Sequence, residues 1–341
     1  MKILFDHSSP FLLAHGGFQV QIEQTKRALE EAGIEIEFLR WWDSSQRADL
    51  IHFFGLPPPP YGDSARKKGM RYVITHLLGG LGARPAWKRF LQKLVVATGL
   101  RLLPSGVLAR VGWSGWKTAD AYLAVTSWEA RLMTEIFRVP RERVHVVPNG
   151  VSDLFFRQPA ETREQWLLTT ASILPVKRLI ETAQAAIAAK TPYWIIGRPF
   201  SESDTYYQEF AALCRNHSET LRYDNAMRTQ LEFAKVYRQA RGFVLLSSWE
   251  SQSLSALEAA ACECPLLLSD LPWAHATFGE HANYCPVVSA ERTASYLKTF
   301  YDRAPVLTPP PKPATWNEVA QMLKRIYEDV LNRPTRSTDR Y

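Results

Sequence analysis

Cysteine is scarce. Cys214, Cys262, Cys264 and Cys285 are the four in 341 residues, with no Cys-x-x-Cys and no regular spacing. That excludes a disulfide framework and argues against a zinc site, whose ligands stand at set intervals. Cys262 falls in an Ala-rich helical pattern and reads as a small buried residue. Long apolar runs are also missing. None reaches the ~18–20 residues of a membrane span, and "MKILFDHSSP" has too short an apolar stretch for a signal peptide. Reduced thiols and a cytoplasmic location are the expectation. No Gly-x-Gly-x-x-Gly follows the first strand pattern, which disfavours a dinucleotide oxidoreductase.

The sharpest absence is of negative charge. Residues 64–119 hold eleven Lys or Arg and no acid, leaving −4 for the rest of a chain whose net charge is +7. The segment also carries Trp87, Trp113, Trp116 and "FLQKLVVATGLRLL". Basic residues beside Trp and Leu suit a surface lying on anionic lipid, with Arg84, Trp87, Lys88, Arg89 and Lys93 as the candidates. A core-packed helical hairpin with a solvated basic face is the plain alternative. Nucleic acid is not expected, because no binding module accompanies the charge.

What is present is α/β in pattern. "KILFD", "IEIEFL", "DLIHFF", "RYVITH", "AYLAVT" and "VHVVP" read as strands, and "QVQIEQTKRALEEAG" as a helix ending at Gly33. A polar stretch, "RQPAETREQ", separates these from a second series: "WLLTTASI", "YWIIG", "GFVLLSS" and "PLLLSD". Strands alternating with helices imply parallel sheets covered on both faces. Two series imply two Rossmann-like domains, 1–155 and 156–312, with a ligand cleft at the carboxyl ends of their strands. A helix over 313–332 follows, with Thr315 and Glu318 spaced for a capping box. Residues 333–341 read as a tail.

Between "GFVLLSS" and the next apolar run stand Glu250 and Glu258. Eight helical residues separate α-carbons by ~12 Å, whereas glycosidase carboxylates stand roughly 5–9.5 Å apart. With Ser253 starting a helix between them, the pair suits the two ends of a long ligand such as a nucleotide sugar, whose diphosphate would meet the helix N-terminus.

Glu250-x7-Glu258 followed by "AAACECPLLLSD" resembles the signature of retaining GT-B glycosyltransferases. "HGGFQVQIEQTKRALEEAG", "VITH", "VHVVPNGVSDLFF" and "VYRQARGFVLLSSWES" resemble, in order, further segments of that family. The 313–332 helix resembles the one that packs back on the amino-terminal domain. The resemblance implies an acceptor-binding first domain, a donor-binding second domain, and a retaining hexosyltransferase acting by front-face attack. It implies that Glu258 holds the ribose, Glu250 the sugar, and the amides of Ser253 and Leu254 the sugar and diphosphate. Gly16 and Gly17 would allow close approach at a helix start, Lys177 would neutralise the departing diphosphate, and His76 would touch a sugar hydroxyl. No Asp-x-Asp occurs, so no metal or other cofactor is expected. The family's Gly-Arg after the first strand of the second domain reads Ala171-Ser172 here; Arg178 or Arg198 is the expected substitute. Gln252 stands where an aromatic is commoner. With the basic segment, a lipid-linked or envelope-polysaccharide acceptor is expected. A sugar-nucleotide epimerase and a non-catalytic glycan-binding module are the alternatives.

Overall fold

In a computed structural model, describing residues 1–8, 11, 16–58, 60–111, 113, 115–157, 161–226 and 228–334, the two strand series form two separate parallel sheets. The first contains β1 (Lys2–His7), β2 (Glu35–Phe38), β3 (Leu50–Phe54), β4 (Arg71–Thr75), β5 (Ala121–Ala124) and β6 (Val144–Val146), in the order β2-β1-β3-β4-β5-β6. The second contains β7 (Leu167–Thr170), β8 (Tyr193–Ile196), β9 (Leu221–Asp224), β10 (Gly242–Leu245), β11 (Leu266–Ser269) and β12 (Asn283–Cys285), in the order β12-β11-β10-β7-β8-β9. Central strands such as β3, β7, β8 and β11 are buried along their whole length, as continuous apolar runs require when helices cover both faces. The chain order reverses between β1 and β3 in one sheet and between β7 and β10 in the other, and such switch points open crevices for ligands.

Two strands escape the sequence patterns. β9 and β12 are edge strands of mixed polarity, "LRYD" and "NYC", held by pairing with β8 and β11 rather than by their own apolar content. The tail expected over 333–341 lies, from 335 onward, outside the described residues, as do 158–160 of the polar stretch.

The last helix, Trp316–Asn332, begins with the expected reciprocal cap. Thr315 Oγ1 accepts from Glu318 N at 3.2 Å, and Glu318 Oε2 accepts from Thr315 N at 2.7 Å. The helix returns to the first sheet, where Trp316, Val319, Leu323, Ile326 and Tyr327 join Ile3, Phe5, Ile22 and Leu50 in one core. Inside that core, His52 Nδ1 meets Tyr327 Oη at 2.6 Å and His52 Nε2 meets Thr75 Oγ1 at 2.7 Å. Burial holds His52 neutral, its pKa lowered to about 3.

All four cysteines are buried, unpaired and pushed up to about 11 to 12 by burial, Cys262 among them as the residue ending the Leu254–Ala261 helix. Among the described residues no group of three or more His, Cys, Asp or Glu is placed to hold a metal, and no helix is long and apolar enough to cross a membrane.

Candidate functional site

A cleft of about 690 Å³ opens between the sheets and is lined from both domains at the strand ends. The first domain supplies the start of the Gly17–Glu31 helix after β1 and the loop after β4, at Leu77, Gly79 and Gly80. The second supplies the turn after β7, at Ala171 and Ser172, and the stretch Trp249–Ser255 after β10.

Two helices point their amino ends into this space. Gly16 caps the first with φ +149°, a conformation that side chains avoid, and leaves it without a side-chain cap bond. Ser253 caps the second, Leu254–Ala261, accepting from Ala256 N at 3.3 Å. A Cβ on Gly17 would stand 3.9 Å from Leu254 Cδ1, so the two ends face each other closely. Neither helix has an acid in its first turn. Unopposed amide dipoles from two sides make a site that favours an anion.

Around those ends stand charged side chains. Lys177 Nζ pairs with Glu250 Oε1, which also accepts from Ser247 Oγ at 2.8 Å. The two residues expected at different parts of a ligand therefore meet each other. Glu258, a turn inside the second helix, accepts from Tyr237 Oη at 3.0 Å, and burial pushes its carboxyl up to about 7. Gly16, Gly17, Lys177, Glu250, Ser253, Leu254 and Glu258 thus share one cleft, with Lys177 the one Lys or Arg among its described lining residues.

Three expected residues lie elsewhere. Arg178, in the left-handed region at φ 51°, turns away from the cleft; its guanidinium donates to Val288 O and lies 3.5 Å from Glu181 Oε1. Arg198 Nε donates to Asn225 O at 3.0 Å, outside the lining. Neither replaces the arginine missing at Ser172. His76 follows β4 and is not among the lining residues; its ring packs edge-on against Trp116, and burial lowers its pKa to about 4.

Sequence reasoning also missed the contacts that Gln252 and Glu129 make. Gln252 Oε1 accepts from Asn149 N at 2.7 Å and Asn149 Nδ2 donates to Gln252 O at 3.2 Å, tying the domains where an aromatic was the commoner residue. Glu129, in the first turn of the Ser127–Glu135 helix, carries no signal in the sequence pattern and is buried beside the cleft. No local pattern distinguishes these, because each depends on a partner more than 50 residues away.

Residues 26–150 match the family model of the glycosyl transferase 4-like domain. Solved structures align over almost the whole chain. Sucrose-phosphate synthase from Thermosynechococcus elongatus is 17% identical, with a TM-score of 0.68 over 96% of this chain and 98% of its own. HepE from Anabaena, solved with UDP, is 12% identical, with 0.64 over 97% and 98%. The lipopolysaccharide outer core galactosyltransferase WaaB is 14% identical, with 0.60 over 97% of each chain. The chain thus matches the glycosyl transferase 4-like domain over residues 26–150 and has the GT-B fold of these enzymes. No curated protein sequence matches the chain.

The protein carries a second feature away from its cleft. In the Ala86–Leu102 helix only Val96 and Gly99 are buried, while Trp87, Phe90, Leu91, Leu94 and Val95 form an exposed apolar stripe at helical spacing. Arg84, Lys88, Arg89 and Lys93 surround it, Lys88 lying over the Trp87 ring at 5.4 Å and Lys93 pairing with Glu135 at 3.5 Å. A solvated basic face on a packed hairpin does not describe this, since the apolar side chains themselves face outward. Of the three tryptophans expected here, only Trp87 is on the surface. Trp116 is 2% exposed and stacks on Phe137, and Trp113 packs over Gly99.

Proposed function

We propose that this protein is a glycosyltransferase that moves a sugar, with retention, from a nucleotide-sugar donor held in the cleft to a lipid-linked or envelope-polysaccharide acceptor at the cytoplasmic face of an anionic membrane. The observation that carries the donor side is the pair of facing helix N-termini, free of acids and flanked by Lys177, Glu250 and Glu258. Relatives of the same fold have been solved with UDP and with UDP-glucose. The donor's diphosphate would lie between the helix ends, against the amides of Ser253 and Leu254. Glu258, when ionised, would accept the ribose hydroxyls, and Glu250 the hydroxyls of the transferred sugar. The Lys177–Glu250 pair would open as the donor enters, freeing the ammonium for the diphosphate and the carboxylate for the sugar.

In the reaction, the acceptor oxygen bonds to the anomeric carbon on the face the diphosphate leaves. The carbon–oxygen bond to phosphate breaks, and the acceptor's proton passes to the departing phosphate oxygen. Lys177 and the helix ends lower the barrier by meeting charge as it develops. This needs no carboxylate nucleophile. With Arg178 and Arg198 turned elsewhere, Lys177 and backbone amides carry the diphosphate without a bidentate arginine fork.

The membrane side rests on the exposed stripe Trp87–Val95 within an acid-free segment. The direct test of the donor is a thermal-shift panel of nucleotide sugars and free nucleotides on wild type and Glu258→Ala. A rise in melting temperature with one nucleotide sugar, lost in the variant, identifies the donor. Conversion of the donor sugar without acceptor would replace the reading with an epimerase. No shift with any ligand in folded protein would replace it with a non-catalytic module.

A further inference from the structure

Three Thr-x-x-Glu stretches open helices in this chain, at Thr126–Glu129, Thr229–Glu232 and Thr315–Glu318. The last two close reciprocal caps on the protein surface. The first does half of this. Thr126 Oγ1 accepts from Glu129 N at 3.2 Å, but the Glu129 carboxyl turns inward and is 0% exposed. Its Oε1 accepts from Leu78 N at 2.7 Å, and its Oε2 has no hydrogen-bond partner among the described residues. Burying a carboxyl with one oxygen unpartnered costs stability, and burial pushes this one up to about 7, opposed by the Leu78 amide. Helix capping alone does not need that arrangement, since an exposed glutamate serves twice elsewhere in the same molecule.

What lies next to Glu129 shows its use. Leu78 and Gly79 belong to the first domain's loop after β4, while Ser251 belongs to the second domain's loop after β10. Ser251 Oγ accepts at 3.0 Å from the N–H of Gly79, the residue next to Leu78. At the same point the two backbones touch: a Cβ on Gly79 would lie 2.4 Å from the carbonyl carbon of Glu250 and 2.6 Å from Ser251 N. Only glycine permits that approach. The bonds therefore run from Glu129 through Leu78, Gly79 and Ser251 to the backbone of Glu250, the residue that pairs with Lys177 in the cleft.

We propose that Glu129 is a positioning residue that latches the two domains at Leu78, Gly79 and Ser251 and so sets where Glu250 stands in the cleft. The latch stands on geometry alone; its effect on turnover rests on the donor reading given above. Two measurements separate them. The first needs no substrate: amide hydrogen exchange of the free full-length protein, comparing wild type with Glu129→Gln, Glu129→Ala and Ser251→Ala. Exchange at Leu78 and Gly79 is expected to rise at least tenfold in Glu129→Ala, with the β10 core amides unchanged. The amide of Glu129→Gln still accepts from Leu78 and is expected to restore most of that protection. Ser251→Ala, which removes one small hydroxyl, is expected to free Gly79 but not Leu78, and serves if Glu129→Ala fails to fold. Unchanged protection at Gly79 in folded Ser251→Ala, or at Leu78 in folded Glu129→Ala, would overturn the latch.

The second measurement is UDP release, with UDP-glucose as the first probe and the donor from the thermal-shift panel if it differs. A kcat lowered tenfold or more in Ser251→Ala and Glu129→Ala, with KM for the donor within about twofold and recovery in Glu129→Gln, supports positioning of Glu250. Equal kcat in all folded variants would reduce Glu129 to a structural brace and overturn its positioning role. A wild-type protein that neither binds nor turns over any donor would sink the donor reading while leaving the exchange result to decide the latch.

Discussion

Two helices of equal length dock on the first domain and treat their apolar residues in opposite ways. Both Ala86–Leu102 and Trp316–Asn332 have 17 residues. The second buries seven, Trp316 through Val330, beneath a polar outer face. The first buries two and turns its large apolar side chains outward, with Leu102 76% exposed at its end. Apolar content therefore does not say which face is inside. In the last helix the stripe meets a matching core around β1 and β3; in the basic helix it is exposed, and cations surround it. One helix is bound to its own domain by its stripe, while the other leaves its stripe exposed, the feature on which the proposed membrane docking rests.

That contrast can be broken by substitution. Leu323→Ala in the last helix is expected to cost about 2–5 kcal/mol of stability, the range for deleting a buried leucine, whereas Leu94→Ala is expected to stay within about 0.5 kcal/mol, as exposed sites do. Denaturant unfolding of both variants checks this, and equal losses would mean that the basic helix is packed after all. Next in size is a pH effect confined to the last helix's core. His52 has a folded pKa below its ordinary value, so the unfolded chain binds the extra proton and stability falls as pH drops from about 6.5 toward 3. The slope is about 1.4 kcal/mol per pH unit while that window lasts. His52→Gln should flatten that part of the melting-temperature profile. A slope unchanged in the variant would place the acid sensitivity elsewhere.

The smaller effect lies on the other helix. Replacing Lys88, Arg89 and Lys93 together by Gln should weaken binding to anionic vesicles by about 1 kcal/mol per charge, with melting temperature unmoved and added salt producing the same loss. Binding equally to neutral vesicles, or to none, would remove the membrane from the account. Trp87→Ser should weaken vesicle binding without this salt dependence, sharpening the division between charge and apolar stripe.

Much of the fold was legible in the sequence because apolar runs and turn chemistry are local. Ten of the twelve strands coincide with runs visible by eye, and Thr315–Glu318 and Ser253 cap the helices their spacing implies. β9 and β12 were not legible because an edge strand is stabilised on one side by its neighbour and needs little apolar content of its own. Within the site, Gly16, Gly17, Glu250 and Glu258 could be placed from local pattern, each standing where a strand gives way to a helix. Arg178 and Arg198 could not, because a flexible cation goes to whichever acceptor the folded chain brings near, here the carbonyls of Val288 and Asn225.

Thr126–Glu129 draws the line most clearly. By itself the sequence determined that two series of parallel strands would form two sheets, that Thr315 and Glu318 would cap a helix, and that one segment would be strongly basic, since each follows from residues close together in the chain. Only the tertiary structure decided that Glu129 would face Leu78 instead of its own cap, that Lys177 would meet Glu250, and that one amphipathic stripe would be buried while another stayed open. Those outcomes depend on groups brought together from distant parts of the chain, where the energy of a side chain is set by what surrounds it.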